Sequence, residues 1–257
     1  MTSRRNDRAA GIGSRAVQVG FLVAVFILWY LATTRWGVNR LLLPNPISVW
    51  HQLLDVLRTG EYLPDLRVTL TELAAAFLLA TTSGTVVGYF VSRTRYTIRV
   101  FDPLFAGIYS IPIILFLPLY VLFFGLGPAS KIALGTTISF FPIVINTIAG
   151  FGNVDRTLVT AARSMGASDY QLFRYVLLPA ALPVILTGLR MGFTVALLSI
   201  IGSETIASLA GLGHHIVELA EGMDMSRMFA YIAFVVMIAA ILNGAVSYLE
   251  ARGRRRG

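Results

Sequence analysis

Six stretches of this chain run for 19 residues or more with at most one charged side chain: 16–34, 73–92, 103–130, 132–154, 175–203 and 228–249. A bilayer core of ~30 Å is crossed by ~20 helical residues rising ~1.5 Å each, so every run is long enough to span. Backbone groups in lipid must be satisfied within the segment, which selects helices over isolated strands. The fold class that follows is an all-α integral membrane protein of about six transmembrane helices. Composition agrees: 13% of the 257 residues are charged, against roughly a quarter in a soluble domain.

The formal charge of +8 raises nucleic acid as a partner. The charges sit between apolar blocks rather than along one face, and a topology signal accounts for them better. Arg4, Arg5, Arg8 and Arg15 precede the first run, and Arg93, Arg95 and Arg99 follow the second. Arg156, Arg163 and Arg174 follow the fourth, and Arg252, Arg254, Arg255 and Arg256 follow the last. The other side holds Arg35, Arg40, Arg58, Arg67, Lys131 and Arg227. The richer side is expected in the cytoplasm, with both termini inside. The C-terminal arginines serve as a topology anchor or as a contact for acidic membrane lipid. The first run is long for a cleaved signal peptide, and Ala32-Thr33-Thr34-Arg35 is a poor cleavage site, so a retained anchor is expected. The chain then divides into a cytoplasmic tail (1–15), a membrane domain (16–250) and a basic tail (251–257).

Some functions fall away early. With no cysteine, disulfides and thiolate metal sites are excluded. His51, His214 and His215 lack the i, i+4 spacing of two ligands on one helical face. No G-x-x-x-x-G-K-[ST] phosphate loop is present, and Lys131 is the only lysine, so the chain is not an ATPase by that route. No H-E-x-x-H or cluster of intramembrane acids suggests an enzyme, and no cofactor is expected on this chain.

Pro112 and Pro118 fall inside the third run, which must therefore kink or unwind, either for packing or to line a pathway. Gly84 and Gly88 have a spacing that permits close helix approach. Outside the spans, Leu43-Pro44-Asn45-Pro46 is a turn leading into a short amphipathic helix over 47–57. After the fifth run, Ala210-Gly211-Leu212-Gly213 precedes a short segment, 214–220, that Gly222 and Asp224 interrupt.

A polar island lies between the fourth and fifth runs, about 153–177. Asp155 can cap a helix over 156–165. Leu158, Ala161, Ala162 and Met165 then share one face. Gly166 suits the left-handed residue that ends it. Ser168 and Gln171 have capping-box spacing, so a second helix starts there. By itself this is either an interfacial helix or a surface on which a cytoplasmic partner can push.

The island resembles the signature loop of ABC importer permeases: E-A-A, three residues, Gly, nine residues, an aliphatic residue, one residue, Leu-Pro. Ala161, Ala162, Gly166, Val176, Leu178 and Pro179 are in register, with Arg163 within the loop. Thr160 replaces the usual Glu. Leu43-Pro44-Asn45-Pro46, Ile111-Pro112, Leu117-Pro118-Leu119, Phe124-Gly125, Lys131-Ile132 and Gly202-Ser203-Glu204-Thr205-Ile206 are similar to the aliphatic sulfonate, taurine and nitrate branch. Riboflavin and thiamine-precursor permeases belong to the same wider group. Glu72 is a second departure, standing where that branch leads one to expect Arg. If such an Arg attracts anions, Glu72 argues against an anionic solute.

The resemblance implies the MetI-like ABC importer permease fold in a bacterial inner membrane. It implies two cytoplasmic ATPase subunits that use ATP and Mg, a second permease copy and an extracytoplasmic binding protein. Residues 156–166 would be the coupling helix. Phe116, Tyr120, Phe123, Thr137, Phe140 and Asn146 are candidates to line the pathway, with packing against lipid as the alternative. Asn146 is the strongest polar candidate. Arg190 and Glu204, ~21 Å apart along one helix, either contact solute or make structural bonds; Arg190 is expected to pair across a dimer or with a backbone carbonyl. An autonomous secondary transporter or channel is the rival, and it should carry paired acids or histidines in its spans.

Overall fold

The computed structural model describes residues 3–39 and 42–254, so the expectations for Arg40, Arg255 and Arg256 lie outside the described residues. All regular structure among the described residues is helical. It divides into two units, Met1–Glu61 with Ile216–Phe234, and Tyr62–His215 with Val235–Gly257.

In the first unit, α1 (Ser3–Thr34) runs from the basic tail through the first apolar run without interruption. Asn45 accepts a hydrogen bond from the Ile47 amide and Pro46 occupies the first turn of α2 (Pro46–Thr59), which ends at Gly60 in the left-handed region. This is the turn and short helix that Leu43-Pro44-Asn45-Pro46 predicts. The Trp29 indole donates to the Pro44 carbonyl at 3.0 Å. Within the same unit Arg227 donates to the Glu61 carboxylate, and the Tyr231 hydroxyl donates to it at 3.1 Å.

The second unit holds α3 (Leu63–Ser92), α4 (Arg95–Tyr109), a 3₁₀ turn (Ile113–Phe116), α5 (Leu117–Phe124), α6 (Pro128–Gly152), α7 (Arg156–Ser164), α8 (Asp169–Leu172) and α9 (Leu178–Ile206). Two helices cross the division, α10 (Leu212–Glu221) and α11 (Met225–Arg254).

Among the described residues four helices are long and apolar enough to cross a membrane. They are Leu63–Ser92, Pro128–Gly152, Asp169–Ile206 and Met225–Arg252. A fifth forms if the pair Arg95–Tyr109 and Ile113–Phe124, bent by 70°, is one span. The described apolar part of α1, Val23–Thr34, is shorter.

The third run is corrected in detail. Its span begins at Arg95, inside what the charges suggest is a loop, and breaks at 110–112. Pro112 there and Pro118 in the first turn of α5 account for the interruption, because neither ring nitrogen can donate to a continuing ladder.

The second unit is built on α3, α6 and α9, which approach closely where side chains vanish. A Cβ added to Gly84 or Gly88 on α3 would come within 2.9 Å of Ile143 or 2.6 Å of Thr147 on α6. Gly188 and Gly192 on α9 meet α6 in the same way, at 2.5 Å from Asn146 and 2.6 Å from Ile143. Leu73, Ala196 and Leu197 form one buried cluster, and Val91, Val144 and Ile148 another. Lipid tails are as apolar as these side chains, so close backbone packing rather than hydrophobic contrast holds such helices together.

Candidate coupling elbow and pathway surface

The polar island folds as its caps predict. Asp155 accepts a hydrogen bond from the Thr157 amide at 2.8 Å, which starts α7. That bond holds the exposed Asp155 carboxyl below its ordinary range. At the other end Gly166 has φ +79. Its amide donates to Arg163 O at 2.9 Å, and the Ala167 amide donates to Ala162 O at 3.1 Å. This 5→2 and 6→1 pair is a Schellman motif with Gly166 at the left-handed position. Ser168 and Gln171 exchange both bonds of a capping box, at 2.8 and 3.3 Å, and open α8. A π-helical turn, Phe173–Leu177, carries the chain into α9, with Leu178 and Pro179 in its first turn.

The shared face of α7 is not spent inside the chain. Ala162 is buried, whereas Leu158 is 51% and Met165 82% exposed. Ala161 is exposed as well. Two large apolar side chains beside a small one, at the tip of a polar elbow, make a surface that another protein can cover. Thr160 is exposed and lines a polar cavity of about 490 Å³ with Arg163. Arg163 also pairs with Asp169 at 3.3 Å.

A second concavity, about 400 Å³ and strongly apolar, lies along the broken span. It gathers Phe116, Tyr120, Phe123 and Thr137 from the expected pathway set, and the Tyr120 hydroxyl donates to Thr137 at 2.8 Å. Phe140 and Asn146 do not join them. Phe140 packs edge-on against Phe105 and Phe141. Asn146 donates to Pro142 O at 2.8 Å and sits under Gly188. Its amide finds a partner one helical turn back.

Arg190 makes a structural bond between helices, one of the two roles expected of it, but not with a dimer partner or a backbone carbonyl. It pairs within the chain, with Glu250 of α11 at 3.3 Å. Glu250 is 60 residues away, beyond the reach of local pattern reading.

The largest surprise is at the far end of α9. Glu204 is 1% exposed, Glu72 1% and Lys131 0%. Thr69 Oγ1 donates to Glu204 Oε1 at 2.7 Å, and the Gly213 amide donates to Oε2 at 2.8 Å. The Leu212 amide donates to Thr69 at 3.0 Å, and the Gly211 amide to Asp65 at 3.0 Å. Gly211, at φ +107, lies so close that a Cβ would stand 2.4 Å from the Glu204 carboxylate. Lys131 donates to the carbonyls of Leu126 and Gly127 and interacts electrostatically with both glutamates. One buried carboxylate thus pins α3, the end of α9 and the start of α10 together. The sequence marks Glu72 as a departure from the branch and Lys131 as part of a branch motif, but nothing local pairs either with Glu204. That these two and Glu204 fall at the same end of their spans was the available signal.

A family model described as binding-protein-dependent transport system inner membrane component matches residues 80–255. The chain belongs to that family. It is the membrane permease subunit of an ABC importer, an inner-membrane component in a family whose members work with ATPase subunits and a substrate-binding protein. The taurine transport system permease protein TauC of Escherichia coli (strain K12) is 31% identical over 92% of this chain and 88% of that protein. The putative aliphatic sulfonates transport permease protein SsuC of Bacillus subtilis (strain 168) is 29% identical over 90% and 84%. The riboflavin transport system permease protein RibX of Chloroflexus aurantiacus is 30% identical over 89% and 85%. Among solved structures, an inward-facing MetNI methionine ABC transporter matches with a TM-score of 0.62 at 20% identity, over 72% of this chain and 93% of that one. That likeness establishes the MetI-like permease fold. Among the described residues no group of three His, Cys, Asp or Glu could hold a metal ion.

Proposed function

We propose that this permease, paired with a second copy of itself, forms the pathway for a small sulfonate, and that two ATPase subunits drive it through the α7 elbow. The observation that carries the mechanism is continuity: the elbow runs into a span that extends from Asp169 to Ile206. At ~1.5 Å per residue, α9 alone is ~43 Å long, a rod with the elbow at one end and Glu204 at the other. The elbow segment over residues 156–166, which carries Thr160, Ala161, Ala162, Arg163 and Gly166, docks in a groove of the ATPase by its exposed Leu158, Ala161 and Met165 face. Closure of the ATPase pair on ATP and Mg displaces the elbow, the π-helical turn takes up the strain, and α9 tilts. ATP is hydrolysed on the partner, so this chain performs no catalysis. For the cycle to run, the ATP-bound motor must favour one permease state by several kcal/mol.

The sulfonate assignment draws on the taurine and sulfonate relatives. Glu72 does not oppose it, because its carboxyl is buried near Glu204 and Lys131 rather than offered to a pathway. The apolar concavity with Tyr120 and Thr137 is the favoured pathway wall. Arg190 and Glu204 take structural roles. The secondary-transporter reading is disfavoured because the chain belongs to a family whose members work with ATPase subunits, even though the buried acids Glu72 and Glu204 do interact.

The test is reconstitution with the companion ATPase and binding protein. ATP-dependent uptake of taurine or an alkanesulfonate, without uptake of riboflavin, is expected. Accumulation by the permease alone would overturn the mechanism; uptake of riboflavin in place of sulfonates would overturn the solute.

A further inference from the structure

We propose that the polar cavity beside the elbow binds the phosphate group of an anionic membrane lipid. Four arginines line it: Arg93 and Arg95 from the α3–α4 junction, and Arg156 and Arg163 from α7. The one carboxylate in the lining is Asp169, and Arg163 takes it. Among the described residues Arg93, Arg95 and Arg156 have no acidic partner. Thr160 is also in the wall, at the position where the signature loop usually has Glu. A Glu there would supply an internal counter-ion; the threonine hydroxyl leaves Arg93, Arg95 and Arg156 uncompensated and adds a hydrogen-bonding group.

The position of the cavity selects the ligand. Ser92 ends α3 and Gly152 ends α6, and both belong to the wall, so the cavity lies where two spans leave the membrane. Charge bias puts this end in the cytoplasm, beside the anionic leaflet. Phe151 and Leu177 form part of the same wall and give an acyl chain an apolar surface that a free anion does not need. Its volume of about 490 Å³ falls in the ~300–1,000 Å³ range of small-ligand sites. A phosphate held there ties the elbow to the α3–α4 junction and makes the elbow's resting position depend on lipid charge. This inference does not depend on which solute is carried.

The experiment is native mass spectrometry of the detergent-solubilised permease, titrated with phosphatidylglycerol or phosphatidylcholine. Selective retention of phosphatidylglycerol is expected. The double variant Arg93→Gln/Arg95→Gln should weaken it about 30-fold, at ~1 kcal/mol per arginine. Arg93→Lys/Arg95→Lys, which keeps the charge, should retain it. Unchanged retention in the Gln variant, or equal loss in a Lys variant that melts like the parent, overturns the site. If inorganic phosphate alone displaces the lipid and raises the melting temperature as much, the site takes free anions and the lipid assignment falls. If the Gln variant loses ATPase co-purification but keeps the lipid, the arginines serve a partner's carboxylates and the proposal fails.

Discussion

Replacing Gly166 separates the conformation of the elbow from its packing. A Cβ at Gly166 meets nothing within 4 Å, so no side chain up to moderate size is excluded by space. What the site demands is φ +79. An L-residue pays ~1–2 kcal/mol to sit there, and without that turn the Schellman pair to Arg163 and Ala162 is lost. The fraction of elbows in the docking conformation then falls, and the apparent dissociation constant for the ATPase rises in proportion. At ~1.4 kcal/mol per factor of ten, Gly166→Ala should weaken ATPase binding by roughly 5–30-fold. Gly166→Val should do worse, because a β-branched residue tolerates the left-handed region least. Gly166→Asn should bind within a few-fold of the parent, because Asn enters that region most readily of the ordinary residues. The assay is ATPase binding to the permease in nanodiscs by interferometry, with thermal melting as a control for the spans. Parent-like binding by the Ala variant, or an Asn variant as weak as Val, would refute the argument that this turn presents the coupling helix.

Glu204→Ala removes the acceptor for Thr69 and for the Gly213 amide. At ~1–3 kcal/mol for each buried group left unsatisfied, it should lower the melting temperature markedly, whereas Thr71→Ala, an exposed neighbour on α3, should not. Arg190→Met removes the cation paired with Glu250, whose side chain is 8% exposed and which keeps a bond from Thr187 at 3.4 Å, and should destabilise the permease; adding Glu250→Gln should restore much of the loss in a double-mutant melting cycle. The Asp155 cap has a pH signature. Its carboxyl is held below the ordinary range by the Thr157 amide, so the cap is fully present above ~3.9 and is lost only as pH falls through the lower folded value. ATPase binding should therefore be flat in pH across the neutral range as far as this group is concerned, and Asp155→Asn, an uncharged cap, should bind alike throughout.

The elbow was readable because its determinants are local. Asp155, Gly166, Ser168 and Gln171 each act on backbone groups within three or four residues, and spacing alone specifies such bonds. The bent third span was readable in kind but not in extent. Pro112 and Pro118 marked the interruption, but Arg95 and Arg99 looked like loop residues although α4 already includes them. Charge marks where a chain meets water, and an amphipathic helix at that boundary carries the same charges without ending. Asn146 and Arg190 each allow a solute contact or a structural bond by sequence, and the structure holds a bond at both: Asn146 to the carbonyl one turn back, Arg190 to a carboxylate that only the fold brings near.

Glu72 and Thr160 show why a departure from a family pattern is best judged in its surroundings. Taken singly, the first puts a negative charge where a positive one is expected, and the second removes a negative charge from a docking loop. In the fold Glu72 and Lys131 on α6 are both fully buried, each within electrostatic reach of Glu204, while Glu72 Oε2 finds no hydrogen-bond partner among the described residues. The departure is thus absorbed inside the bundle, at the desolvation cost of a buried acid, and presents no charge to a pathway. Around Thr160 only Arg163 is answered, by Asp169, and among the described residues Arg93, Arg95 and Arg156 in the same cavity lining have no acidic partner. The same kind of substitution therefore has opposite consequences at the two ends of the bundle. Buried beside Glu204, it is closed off inside the bundle; exposed beside the elbow, it leaves a positive field for something outside the chain to fill.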